Sequence, residues 1–199
     1  MPTAGATEAD LVRRLALGER SAFEQIYTQH NASLIRVATG IVHSRATAEE
    51  VTQETWLAVL RSISGFEGRS SLASWIFSIL INKSRSRAKR EGRIVSFEGP
   101  GEDDTLAAAF DGRGRWRDMP ELWETLTPER ILQGRRVMEH VDTAIEALPS
   151  GQRAVIILRA QHGLAAQEVC GLLGITESNM RVLLHRARLG VRAALDGLM

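Results

Sequence analysis

A single cysteine, Cys170, among 199 residues excludes an intrachain disulfide. It sits on an apolar helical segment, where a small core residue is expected rather than a redox centre. No apolar run approaches the roughly 20 residues that a membrane-spanning helix needs. The stretch Met1 to Arg14 lacks the apolar core of a signal peptide. The expectation is a cytoplasmic protein with no membrane span. Net charge is almost lacking as well: 25 Lys and Arg against 24 Asp and Glu leave +1. Any nucleic-acid partner must then be held by local basic patches and not by the overall field. Catalytic signatures are missing too. The histidines (His30, His43, His140, His162, His185) are scattered, with no HExxH spacing and no CxxC pair. There is no GxxxxGK[ST] and no nucleophile elbow. No enzyme, metal or cofactor is expected.

What is present is helical periodicity, with no convincing alternating strand. The expected fold class is all-α. Glu8 to Leu17 reads as a short amphipathic helix ended by Gly18. Ser21 to Glu24 has the spacing of a capping box, in which hydroxyl and carboxylate satisfy free amides at a helix start. The helix beyond it would turn Phe23, Ile26, Tyr27, Leu34, Ile35, Ala38 and Ile41 inward. Thr47 to Glu50 is a second candidate capping box, opening a helix to about Ser62. After the break SGFEGRSS (Ser64 to Ser71), Ser70 or Ser71 would cap a helix carrying Trp75, Ile76, Phe77, Ile79, Leu80 and Ile81.

That helix passes into a strongly basic run. Lys83, Arg85, Arg87, Lys89, Arg90 and Arg93 stand against Glu91 alone, whereas residues 94–112 carry acids and no base until Arg113. From Glu98 to about Glu129 the Gly and Pro breaks leave no sustained period. So long a structureless stretch is unusual within one compact domain. Three pieces are therefore expected: a helical domain over 7–93, a linker over 94–132 and a second helical domain over 133–199. The linker segment Phe110 to Trp123 is aromatic enough to dock into a groove, or simply packs loosely on its own protein. Helices resume near Pro128, with Val137, Val141, Ile145 and Leu148 as one stripe.

The second domain ends in the stretch with the clearest function. In Leu164 to Arg192, apolar Leu164, Val169, Leu172 and Leu173 recur at helical spacing and Gly174 breaks the run. Glycine suits a sharp inter-helix turn because it tolerates positive φ. Thr176 can cap the next helix. On that helix Met180, Leu183, Leu184 and Ala187 form an apolar back, while Glu177, Arg181, His185 and Arg188 share another side. An apolar back and a basic front is the pattern of a helix-turn-helix, whose second helix enters the DNA major groove. An ordinary surface helix with wet arginines is the bland alternative.

Two further constellations lie in the first domain. Glu50, Gln53, Glu54 and Leu57 fall together at i, i+3, i+4 and i+7. That face suits a basic helical partner, or is merely solvated. Asn82 offers both donors and acceptors to a base edge, with cations just beyond it to hold phosphates. A base that has left the stack could be captured there. Asn82 could equally end a helix.

In this order, the features resemble the extracytoplasmic-function (ECF) group of bacterial RNA polymerase sigma factors. AEEVTQETWLAVLR (Ala48 to Arg61) is similar to that family's polymerase-clamp-binding helix. GFEGRSSLASWIFSILIN (Gly65 to Asn82) is similar to its base-capturing segment. ALPSGQRAVIILRAQHGLAAQEVCGLLGITESNMRVLLHRAR (Ala147 to Arg188) is similar to its region 4. The resemblance implies two helical domains, regions 2 and 4, joined by the linker. It implies that Glu50, Gln53 and Glu54 bind the β′ clamp helices of core RNA polymerase, with region 4 at the β flap. Asn82 would receive a flipped base of the minus-ten element, with Lys83, Arg85 and Arg87 near the backbone. Ser178, Arg181, His185, Arg186 and Arg188 would contact the minus-thirty-five element of promoter DNA. An anti-sigma factor would be a further partner. Val182 and Leu183 stand where family members often carry polar or basic residues. The rival reading is a stand-alone helix-turn-helix regulator binding an operator as a dimer.

Overall fold

The computed structural model describes residues 7–93, Phe97 and 140–196. The expected linker segment Phe110 to Trp123, the helix start near Pro128 and Val137 lie outside the described residues. Among the described residues every regular element is a helix and there is no strand.

Helix α1 (Glu8–Ala16) starts where Thr7 Oγ1 accepts the Asp10 N–H, and its buried edge is Leu11 and Leu15. Helix α2 (Arg20–Val42) is the long central element. Its start differs from the expected capping box. The cap is Glu19, with no side-chain hydrogen bond. Ser21 instead accepts from Arg14 and Glu24 pairs with Arg20. Helix α3 (Arg45–Ser62) also starts earlier than expected, because Ser44 Oγ accepts the Thr47 N–H at 3.3 Å. In α3 the upstream Ser44 supplies the cap and Thr47 falls inside the helix; in α2 the helix begins at Arg20 without a side-chain cap, so Ser21 lies inside it. Helix α4 (Leu72–Arg90) is capped as expected by Ser71, which accepts the Ser74 N–H at 3.1 Å.

Helices α2, α3 and α4 pack on one another, burying Ile26, Leu34, Val37, Ala38 and Ile41 with Val51, Trp56, Val59, Ile76, Phe77, Leu80 and Ile81. Trp56 satisfies its indole N–H on Asn31 at 2.9 Å, which lets a large aromatic sit within the bundle. Tyr27, expected inside, is exposed; its ring lies 5.5 Å from Trp56 at the edge of the bundle.

The second half begins with a helix over residues 140–147 (α5), followed by α6 (Ser150–Ile156). Helix α6 runs into a π turn, Ile157–Gln161, in which Arg159 donates to the Leu164 carbonyl. Then come α7 (Ala166–Leu173) and α8 (Glu177–Asp196). Val155, Ile157, Leu158, Leu164, Val169, Leu173, Met180, Leu183 and Ala187 make its core. Cys170, expected in that core, is only half-buried.

The two halves pack against each other, and their buried apolar residues form one continuous cluster. The contact uses a second face of α2. Ser33 donates to Gln161, and Arg36 holds Asp142 at 2.7 Å and Glu146 at 3.3 Å. Gly40 lies so close to the start of α6 that an added Cβ would stand 3.2 Å from Ser150 Cβ. A side chain there would push the helices apart.

Candidate functional site

The helix-turn-helix forms as its residues dictate. Helix α7 ends at Gly174, whose φ of +67° closes the turn and whose N–H donates to the Cys170 carbonyl. Thr176 Oγ1 then accepts the Asn179 N–H at 3.1 Å, giving α8 its cap. Ser178, Arg181 and Arg188 are exposed along α8, and Arg186 is half-buried. Arg181 is held by Glu177 one turn back at 2.6 Å. Between charges this exposed, such a pair is worth a few tenths of a kcal/mol, so a phosphate or base edge can displace it.

His185 is a correction. It was expected on the basic front, free to reach DNA, but is only 8% exposed. Burial first, then the neighbouring Arg188 and Arg186, hold its pKa below the usual range. At 100° per residue His185 stands about 160° from Ala187 around α8, so its burial does not come from the apolar back of that helix. Leu183, which stands at a position where polar residues were noted as common, packs its methyls towards Gly151 on α6. It belongs to the core of the half.

In the first half, Glu50, Gln53 and Glu54 are all exposed on α3, beside exposed Leu57. Asn82 is exposed on α4. An open groove lined by Glu54, Asn82, Lys83, Ser86 and Arg90 joins the two helices. Ser86 and Arg90 follow Asn82 at i+4 and i+8 on one stripe. Neither stood among the expected minus-ten contacts, although Arg90 was part of the basic run and the spacing places both beside Asn82.

The cations beside Asn82 are already engaged. Lys83 pairs with Glu54 at 3.5 Å, and Arg87 pairs with Glu50 at 3.0 Å and Glu91 at 2.9 Å. The acidic face and the basic run, read as separate features, therefore share an edge. Arg85 points to the other half of the molecule. Its guanidinium donates to the Leu173 carbonyl at 2.7 Å and lies over the Phe97 ring at 5.7 Å. A cation at the carbonyl end of α7 opposes the partial negative charge that collects there. Burial lowers the Arg85 pKa from its ordinary value, and the group stays charged. Arg93 donates to the Val42 carbonyl at the end of α2. Lys89 and Arg90 are exposed and make no ion pair among the described residues.

Among the described residues no group of three or more His, Cys, Asp or Glu could hold a metal ion. No helix among them is long and apolar enough to cross a membrane. Two family models match the chain. Sigma-70 region 2 matches residues 26–94, and Sigma-70 region 4 matches residues 138–189. The chain belongs to the sigma-70 family of RNA polymerase sigma factors. Its curated relatives place it in the ECF group. It is 26% identical to the ECF RNA polymerase sigma-E factor of Escherichia coli, over 92% of this chain and 91% of that protein. It is 25% identical to the RNA polymerase sigma-H factor of Pseudomonas aeruginosa, over 96% of this chain and 95% of that protein. Among solved structures it is similar in fold to the sigma factor RpoE of Bartonella quintana in complex with the anti-sigma factor NepR. The TM-score is 0.50 and the identity 21%, over 87% of this chain and 96% of that one. Region 2 of this sigma factor thus contains the α2–α3–α4 bundle with its groove, and region 4 contains the helix-turn-helix.

Proposed function

We propose that this sigma factor is a dissociable initiation subunit of RNA polymerase that reads a bipartite promoter. Domains over 7–93 and 133–199 divide the work, and residues 94–132 connect them. Glu50, Gln53 and Glu54 dock on the β′ clamp helices. Asn82 receives an unstacked minus-ten base in the groove beside Ser86, while Lys83, Arg85 and Arg87 approach the backbone and Arg90 joins them. Ser178, Arg181, Arg186 and Arg188 face the minus-thirty-five element, with region 4 carried by the β flap. His185 is left out of the readout because it is buried. The observation that carries this reading is the chain order. Region 2 presents exposed Glu50, Gln53, Glu54 and Asn82, and region 4 follows with exposed Ser178, Arg181 and Arg188 on the second helix of its turn.

Two promoter elements about 25 base pairs apart are separated by roughly 85 Å of duplex at 3.4 Å per pair. The longest helix here, α2, spans only about 35 Å at 1.5 Å per residue. The packed halves must part for both elements to be reached at once. A connection of about 40 residues extends to roughly 130 Å, so it allows the separation. Near-zero net charge makes free-DNA affinity weak, and the polymerase supplies the missing binding energy. An anti-sigma factor that covers these surfaces belongs to the same proposal, as does a cytoplasmic location.

Run-off transcription with core polymerase on a pool of random promoters tests the reading. Initiation at a shared sequence pair is expected. A chain that binds its site alone and never supports initiation is instead a stand-alone helix-turn-helix regulator. On the selected promoter, Asn82→Ala is expected to impair strand opening, followed by permanganate reactivity, more than closed-complex binding. Equal loss in both would remove base capture. Arg181→Ala is expected to weaken holoenzyme binding to the upstream element by about 1–3 kcal/mol, the worth of a bidentate base contact. Competition between matched and mismatched upstream duplexes measures it.

A further inference from the structure

The contact between the halves contains a histidine pair that promoter recognition does not use. His30 lies on α2 and His162 follows the π turn. Their Nδ1 atoms are 3.2 Å apart and their ring centroids 4.9 Å apart. His30 is 4% exposed and His162 is half-buried. Phe77 of α4 lies against both rings, at 6.4 Å and 4.9 Å between centroids. His162 Nε2 is buried with no hydrogen-bond partner among the described residues.

This geometry accommodates uncharged rings. With both neutral, one Nδ1–H donates to the lone pair of the other Nδ1. A single added proton keeps that bond but buries a charge against Phe77. With both rings protonated, two N–H groups face each other at 3.2 Å and the bond is gone. A charged His162 carries an N–H at its buried Nε2, where no acceptor lies among the described residues, a costly arrangement.

Among the described residues nothing around the pair compensates such a charge. Ser33, one turn from His30, and Gln161, next to His162, are neutral. The charged groups on the packed elements are directed elsewhere. Arg36 of α2 faces Asp142 and Glu146 of α5. Arg153 of α6 donates to the Leu148 carbonyl, and Arg159 of the π turn to the Leu164 carbonyl. Lys83 and Arg87 of α4 face Glu54 and Glu50 of α3, and Arg85 faces the Leu173 carbonyl. No carboxylate pairs with either ring among the described residues.

We propose that His30 and His162 form an acid-released latch: the neutral pair holds region 2 and region 4 together, and protonation parts them. Burial first and His162 second hold the His30 pKa down to about 4, and burial lowers that of His162. In the parted chain both rings return towards the ordinary 6.5. The parted state therefore binds more protons. Closure is undiminished above the ordinary value and weakens as the pH falls from there towards about 4. Between pH 7.5 and 5.5 His30 alone raises the parted-to-closed ratio about tenfold, and His162 adds to this.

The test reads domain separation rather than transcription, so it fails independently of the function proposed above. The full chain, with Cys170→Ser and dyes at Leu17→Cys and Ala193→Cys, is followed by single-molecule energy transfer from pH 7.5 to 5.5. Far-UV circular dichroism monitors helix content. The expected result is one compact population at pH 7.5 and a parted population rising about tenfold or more by pH 5.5, at constant helicity. The double variant H30Q/H162Q is expected to lose that response, and H162Q alone, the milder change, to keep only the part that His30 supplies. A chain that is parted at pH 7.5, a distance that ignores pH, or a double variant that keeps the wild-type response overturns the latch.

Discussion

Phe77→Ala is expected to destabilise region 2 by about 3–5 kcal/mol, the usual cost of truncating a buried phenylalanine. Phe77 is fully buried at the meeting point of α2, α4 and the turn carrying His162. Its loss removes apolar burial from the three-helix bundle and the cover over both imidazoles. The site collapses poorly, because helices from both halves fix its walls and a close-packed interior cannot flow in to fill the void. The urea midpoint by circular dichroism checks the magnitude. Phe77→Leu, which keeps most of the volume, is expected to recover more than half of the loss. A cost below about 1 kcal/mol would show that the rings and helices around Phe77 are not packed as described.

Arg85→Ala is expected to weaken the contact between regions 2 and 4 by about 1.5–3 kcal/mol, the range for a hydrogen bond to a charged group. The substitution leaves the carbonyl of Leu173 without its cationic donor and removes the guanidinium from the Phe97 ring. Small-angle scattering of the free chain at pH 7.5 is expected to show a larger radius of gyration. Arg85→Lys keeps the charge but not the planar fork, so an intermediate radius is expected. The same residue is proposed to approach the promoter backbone once the halves part. Arg85→Ala holoenzyme is therefore expected to gain nothing in promoter affinity despite its looser free form. An unchanged radius would mean that Arg85 does not help to hold the halves.

These two residues show where sequence reading succeeds and where it stops. Phe77 was legible as core, because Ile76, Phe77, Leu80 and Ile81 recur at helical spacing. Local chemistry likewise announced Gly174, Thr176 and the Ser71 cap, each of which needs only a few neighbouring residues to act. The acidic face of α3, the exposed Asn82 and the arginines of α8 were also readable, since exposure on a helix follows from its apolar stripe. Arg85 was legible only as one cation in a basic run. Its partner, the carbonyl of Leu173, is 88 residues away, and a backbone carbonyl carries no sequence signal. The helix starts at Glu19 and Ser44 were displaced for a smaller reason: helix ends are set within a residue or two by local choices, here Ser44 ahead of Thr47 and an uncapped start ahead of Ser21.

The second face of α2 was the largest omission. His30, Ser33, Arg36 and Gly40 look like the polar, solvent-facing remainder of an amphipathic helix. In the fold they meet His162, Gln161, Asp142, Glu146 and Ser150. A polar side chain reads the same whether it faces water or a matching polar group, so periodicity cannot tell the two apart.

By itself, then, the chain of residues determined an all-helical protein, the turn chemistry of its helix-turn-helix and the resemblance to sigma factors, because helical period and capping act within a few residues. Only the tertiary structure decided which cations are already engaged, that His185 is buried, and that two distant histidines share one hydrogen bond. The cations of α4 meet partners on other helices 29 to 88 residues away and the histidines lie 132 apart, and contacts so distant leave no local mark.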